Sequence, residues 1–174
     1  MLMAVFCLGA SLIGINAQEK DWANLQRYAQ QNAELPKPDK NEKRVVFMGN
    51  SITEGWVNTH PDFFKSNGYI GRGIGGQTSY QFLVRFREDV INLSPALVVI
   101  NAATNDIAEN TGAYHEDRTF GNIVSMVELA KANHIKVILT TTLPAAAFGW
   151  NPAIKDAPQK IASLNARLKA YAQI

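Results

Sequence analysis

Four short apolar runs and three stretches of helical period organise the chain. Val45-Val46-Phe47-Met48 is continuously apolar, which suits a strand buried on both faces, and Gly49-Asn50-Ser51 follows it at once. Tyr69-Ile70 opens a second, weaker strand that gives way to Gly71, Gly73, Gly75 and Gly76. Leu97 to Ile100 is the third strand and Ile135 to Leu139 the fourth. Between them the period becomes helical: Tyr80, Leu83, Phe86 and Val90 form one stripe, and Phe120, Ile123, Val124, Val127 and Ala130 another. Ile161, Leu164, Leu168 and Tyr171 mark a last helix, expected to start at Asp156 with Gln159 at capping-box spacing. A further helix is expected over residues 21–35, ended by Pro36-Lys37-Pro38. The order βαβαβαβα predicts an α/β fold: a parallel sheet with helices on both sides and ligands bound beyond the carboxyl ends of the strands.

The first seventeen residues carry no charge, and polar sequence begins abruptly at Gln18. This pattern reads as a signal peptide cleaved after Ala17, although its amino end lacks the usual positive charge; a short N-terminal anchor is the alternative. Residues 18–43 are then an N-terminal helix and linker, and 44–174 the main domain. Export to the periplasm or the extracellular space follows, with no membrane span expected after cleavage. A length of 174 residues fits a single main domain, and 47% apolar with 18% charged residues is globular composition. Seventeen Lys and Arg face fifteen Asp and Glu, interspersed, which disfavours nucleic acid and anionic membranes as partners. The single cysteine, Cys7, excludes an intramolecular disulfide framework and Cys-rich metal sites. No His, Asp or Glu group has metal-ligand spacing, so no metal is expected.

Candidate chemistry gathers where this architecture places active sites. The first strand delivers Ser51 to a strand-to-loop turn, where a serine is a nucleophile if a base takes its proton and N–H donors receive the oxyanion. It can equally be a helix N-cap. The sequence around it does not match the G-x-S-x-G elbow, which removes the α/β-hydrolase reading. Gly71 to Gly76 satisfies G-x-G-x-x-G, but it follows the second strand and lacks the acidic residue a dinucleotide fold needs about 20 residues on at a strand end. It therefore reads as a turn permitting close backbone approach, which would let the Gly76 N–H face a reacting centre. The third strand ends at Asn101-Ala102-Ala103-Thr104-Asn105-Asp106, adding the Asn105 amide and the Asp106 carboxylate to the same rim. Taken singly these are turn formers; together they supply a nucleophile and two oxyanion donors.

In these residues the chain resembles the GDSL-type esterases and lipases, also called SGNH hydrolases. Gly49-Asn50-Ser51-Ile52-Thr53 is similar to the family's first block, Gly73-Ile74-Gly75-Gly76-Gln77-Thr78 to its second, and Ala103-Thr104-Asn105-Asp106 to its third. The resemblance runs from Arg44 to about Leu143. It implies a flavodoxin-like three-layer α/β/α fold and a serine ester hydrolase without a cofactor. Ser51 would be the nucleophile, with its own N–H, Gly76 N–H and the Asn105 side chain forming the oxyanion hole, and with Asn50 and Asp106 supporting them. Implied substrates are small-molecule or glycan esters with short acyl groups, and export favours carbohydrate deacetylation. Oligomeric state is not implied. Asn50 replaces the family's commoner Asp, and Ala103 its commoner Gly.

The family's base and orienting acid lie in a late Asp-x-x-His block, and no Asp of this chain has His three positions later. His134 precedes the fourth strand and is expected at the wrong end of the sheet. His60 and His115 are expected in loops on the active-site side, without an orienting carboxylate. The expectation is accordingly a fold whose last strand and helix lie beyond Ile174, carrying the base and acid with them. Two other readings stay open: a non-catalytic carbohydrate-binding module on the same scaffold, and a nucleotide-binding flavodoxin-like domain.

Overall fold

Val46 and Met48, with no exposed surface, stand at the centre of a four-stranded parallel sheet. The computed structural model describes residues 21–173, so the expected signal peptide and Cys7 fall outside the described residues. Strands β1 (Val45–Gly49), β2 (Tyr69–Gly73), β3 (Leu97–Asn101) and β4 (Lys136–Leu139) lie in the order β2-β1-β3-β4. Val46 pairs with Ile70 and Val98, and Met48 with Arg72 and Ile100. The order reverses at β1, which opens a crevice at the carboxyl ends of β1 and its neighbours.

Among the described residues seven α-helices accompany the strands: α1 (Ala29–Glu34), α2 (Ser51–Thr59), α3 (Pro61–Ser66), α4 (Ser79–Asp89), α5 (Thr104–Ile107), α6 (Glu116–Ala132) and α7 (Ala157–Ala172). Side chains alternate along a strand, so the two sheet faces acquire different cores. Val46, Met48, Val98 and Ile100 pack against Phe82 and Phe86 of α4, Ile123 and Met126 of α6, and Leu164 of α7. Each such fully buried side chain contributes about 1.5–3 kcal/mol. On the other face Phe47 meets Trp56 of α2 at 5.5 Å and Phe64 of α3 at 5.3 Å between ring centroids. The fold is the parallel α/β/α arrangement expected.

Local boundaries differ from expectation in three places, each with a physical cause. The capping box does not form at Asp156, whose carboxylate pairs with Lys160 at 3.0 Å and makes no cap bond. It forms at the start of α4, where Gln81 accepts from the Thr78 N–H at 3.0 Å. The helix expected over residues 21–35 is divided: a 3-10 turn at Leu25–Arg27 precedes α1, and Asn24 takes a left-handed φ of 55°. The second strand continues through its glycines to Gly73, because a Cβ there would press into the backbone of α2 at Glu54 and lie 2.8 Å from Asn50 O. No helix among the described residues is long and apolar enough to cross a membrane.

The N-terminal segment is strapped onto the sheet by polar groups. The Tyr28 hydroxyl donates to Gly73 O, Gln77 Nε2 to Ala23 O at 2.7 Å, and Asn32 Nδ2 to Asp89 Oδ1 at 2.7 Å. Asn32 Oδ1 in turn accepts from Arg72, whose guanidinium lies 4.7 Å from the Tyr28 ring centroid.

Candidate active site

Ser51 occupies the first position of α2, because β1 passes straight into a helix with Asn50 as its cap. Asn50 Oδ1 accepts from the Ile52 N–H at 3.0 Å, which leaves Ser51 free of the capping duty. Ser51 is exposed, and neither its hydroxyl nor its N–H has a partner among the described residues. An unpaired N–H at a helix start is what an incoming oxyanion requires. The expected strand-to-loop turn is therefore a strand-to-helix turn.

The β2 turn brings its glycines against this position. A Cβ built on Gly75 would sit 3.8 Å from Ser51 Cβ and 3.1 Å from Glu54 Oε2. Glu54, one helical turn past Ser51, accepts the Gly75 N–H at 2.8 Å, with Arg27 beside it at 3.3 Å. The Gly76 N–H has no partner among the described residues, and Gly76 adopts a φ of 76° in the left-handed region. Of the two neighbouring amides, one is occupied and the other remains for a ligand.

The β3 loop supplies the third group. Asn105 is 3% exposed, and its Nδ2 donates to Gln77 O at 2.8 Å, leaving one amide hydrogen unassigned. Ala103 holds a φ of 82°, a conformation that favours glycine and costs another residue about 1–2 kcal/mol. Asp106 faces away from the crevice. It accepts from the Ser79 N–H at 3.0 Å, from the Ser79 hydroxyl and from Thr119 Oγ1 at 3.2 Å, tying the start of α4 to α5 and α6. Burial pushes its carboxyl above the ordinary range, opposed by those hydrogen bonds.

Beneath the turn lies a group that sequence patterning did not single out. Arg85 is fully buried; it pairs with Asp89 at 2.8 Å and donates to Gln77 Oε1 at 2.6 Å and to Gly49 O at 3.0 Å. It thus braces both the end of β1 and the turn carrying Gly76. The Arg85-x-x-x-Asp89 spacing on one helix face was a visible signal, but its burial was not.

No histidine is hydrogen-bonded to Ser51 among the described residues. His60 ends α2, nine residues long, so it stands about 13 Å along the axis from the helix start and away from the crevice, contrary to expectation. His134 lies at the amino end of β4, as expected. His115 occupies the position before α6 without a capping hydrogen bond and opens with Trp22, Tyr80 and Arg118 onto a hollow of about 240 Å³ that Ser51 does not line. A hollow of about 560 Å³ lies against β4, α6 and the end of α7, another of about 640 Å³ lies between residues 144–146 and α7, and Ser51 lines neither. Among the described residues no group of three His, Cys, Asp or Glu is placed to hold a metal ion.

Residues 47–174 match the sequence model of the GDSL-like lipase/acylhydrolase family. Solved structures similar to the chain include a Bacteroides fragilis protein described as a candidate acylhydrolase, 99% identical, covering 89% of this chain and 74% of that one at a TM-score of 0.88. A GDSL-like lipase of Bacteroides thetaiotaomicron is 79% identical, covering 87% and 74% of the two chains at a TM-score of 0.86. The uncharacterised lipoprotein YqeF of Bacillus subtilis is 32% identical over 117 residues; that alignment covers 58% of this chain and 48% of the relative, about half its length.

Proposed function

The chain belongs to the GDSL-like lipase/acylhydrolase family, and from that premise we propose that it is a serine ester hydrolase in which Ser51 Oγ attacks the acyl carbonyl. The carbonyl oxygen becomes an oxyanion held by the N–H groups of Ser51 and Gly76 and by Asn105 Nδ2; the alcohol leaves, and water then releases the acyl group from Ser51. The observation that carries this reading is the meeting of three neighbouring strand ends. β2, β1 and β3 present Gly76, Ser51 and Asn105 at one crevice, with the Ser51 and Gly76 N–H groups unpaired among the described residues.

Attack requires a proton acceptor for Ser51. We assign it, with its orienting carboxylate, to an Asp-x-x-His block outside residues 21–173, as the family resemblance implies. An exposed nucleophile at an open rim suits a short acyl group on a bulky alcohol, such as an acetylated glycan. The similarity to a lipoprotein supports export.

The test uses the natural full-length protein and a fluorophosphonate probe. Labelling is expected at Ser51 and is expected to vanish in Ser51→Ala, whose fold is unaffected because the side chain is exposed. Labelling that survives the substitution refutes the assignment. Glycan binding without any labelling would favour the binding-module reading.

A further inference from the structure

Gly76 has no side chain to hold it, stands exposed on a turn, and sits in the left-handed region at φ 76°. Its aim must be set by neighbours. On one side Glu54 holds the preceding amide, that of Gly75, at 2.8 Å. On the other side Asn110 Nδ2 donates to Gly76 O at 3.0 Å. The Asn110 backbone N–H also donates to Asn105 O at 3.0 Å, so one residue touches both the turn and the β3 loop.

An asparagine amide can be turned over, exchanging its donor for its acceptor, and then it would present an oxygen to the Gly76 carbonyl. Here Trp150 removes that freedom. Its indole Nε1–H, which can only donate, bonds Asn110 Oδ1 at 2.9 Å, leaving Nδ2 to face Gly76. Trp150 is anchored in turn: its ring lies 5.2 Å from that of Phe148, which is 2% exposed, and Asn151 Nδ2 donates to Ala108 O at 2.9 Å. The segment after β4 therefore reaches across the end of α5 to the glycine turn.

We propose that Asn110, oriented by Trp150, is a positioning residue that keeps the Gly76 N–H aimed at the oxyanion. The inference rests on the reading of Gly76 as an oxyanion donor. The Trp150–Asn110–Gly76 relay acts on the transition state, where the charge it serves is present, and adds little to substrate affinity. Asn110 and Trp150 are both exposed, so their loss weakens the aim of the donor more than the stability of the fold.

The natural full-length enzyme tests this with a short-chain ester. Asn110→Ala is expected to lower kcat by about ten- to a hundredfold, the effect of a donor displaced by a fraction of an ångström to an ångström, with KM and melting temperature nearly unchanged. Asn110→Asp keeps an acceptor for Trp150 but has no donor for Gly76 O, and should lose at least as much. Trp150→Phe keeps the ring and removes the N–H, giving a smaller fall in kcat, and combined with Asn110→Ala it should add nothing. An unchanged kcat in Asn110→Ala, alongside turnover abolished by Ser51→Ala, overturns the positioning role and leaves the esterase reading intact. Additive losses in the double variant overturn the relay. Wild-type turnover that does not depend on Ser51 overturns the functional reading, and the inference with it.

Discussion

β1 and β4 are strands of one sheet with similar apolar sequences and opposite surroundings. β1 has a strand on each side and helices over both faces, and Val46 and Met48 are fully buried. Among the described residues β4 pairs only with β3, none of its residues is buried, and Ile138 is 49% exposed. The crevice lies at the end of the first and away from the second. The proposed nucleophile would gain from a foundation that cannot shift, and β1 is held by two hydrogen-bonded neighbours, an aliphatic-rich core on one face, an aromatic cluster on the other and the Arg85 brace on Gly49 O. Among the described residues the outer side of β4 is unpaired and its exposed apolar side chains offer a surface for pairing rather than such a foundation. What β4 contributes to the site comes from the loop after it, through Trp150.

The sharpest way to break this contrast is to remove the brace. Arg85→Ala leaves the Asp89 carboxylate buried without its cation and frees Gly49 O and Gln77. It is expected to cost about 3–5 kcal/mol in urea unfolding. A loss below about 1 kcal/mol would show that solvent reaches Asp89 and that the brace is dispensable. Paired truncations in the two strands sharpen the comparison directly. Met48→Ala is expected to cost about 2–5 kcal/mol by opening a cavity, whereas Ile138→Ala should stay within about 0.5 kcal/mol. Equal costs would mean that the exposed face of β4 is covered in solution.

A pH-dependent effect is expected at Asp106. Burial raises its carboxyl above the ordinary value of 3.8, against the pull of the Ser79 and Thr119 hydrogen bonds. A carboxyl raised in the folded state favours folding fully only below its unfolded value, and that contribution is lost as pH rises through the folded value. Relative to Asp106→Asn, the wild type should therefore lose unfolding free energy as pH climbs from about 4, by about 1.4 kcal/mol for each unit by which the carboxyl is raised, and then level off. Parallel stability profiles for the two proteins would refute a raised carboxyl at Asp106.

Much of the fold was legible in order along the chain. The continuous apolar runs of β1 and β3 mark strands buried on both faces, and the stripes through Phe86 and Val90 and from Ile123 to Val127 mark helices packed on one side of them, whereas fully buried Phe82 lay outside the expected stripe and its members Tyr80 and Leu83 are only partly buried. The three blocks around Ser51, Gly76 and Asn105 were legible too, because each is a short segment set directly after a strand, and parallel topology brings strand ends together. The helix after Ser51 was not delimited, since its polar, Gly-containing sequence has only Ile52, Trp56 and Val57 as apolar positions.

Other features depend on residues distant in the chain and have no local signature. Arg85 reads as the charged face of a helix until the sheet places Gly49 O and Gln77 beside it. His60 reads as a loop residue on the active side until α2 carries it to the far end. Asn110 and Trp150 are 40 positions apart and show nothing in common until the β4 loop folds over α5. Local sequence determined which segments become strands, helices and turns, since period, caps and glycines act over a few residues. Which polar group braces which turn was decided by tertiary structure, because a hydrogen bond about 3 Å long depends on where the whole sheet sets its two ends.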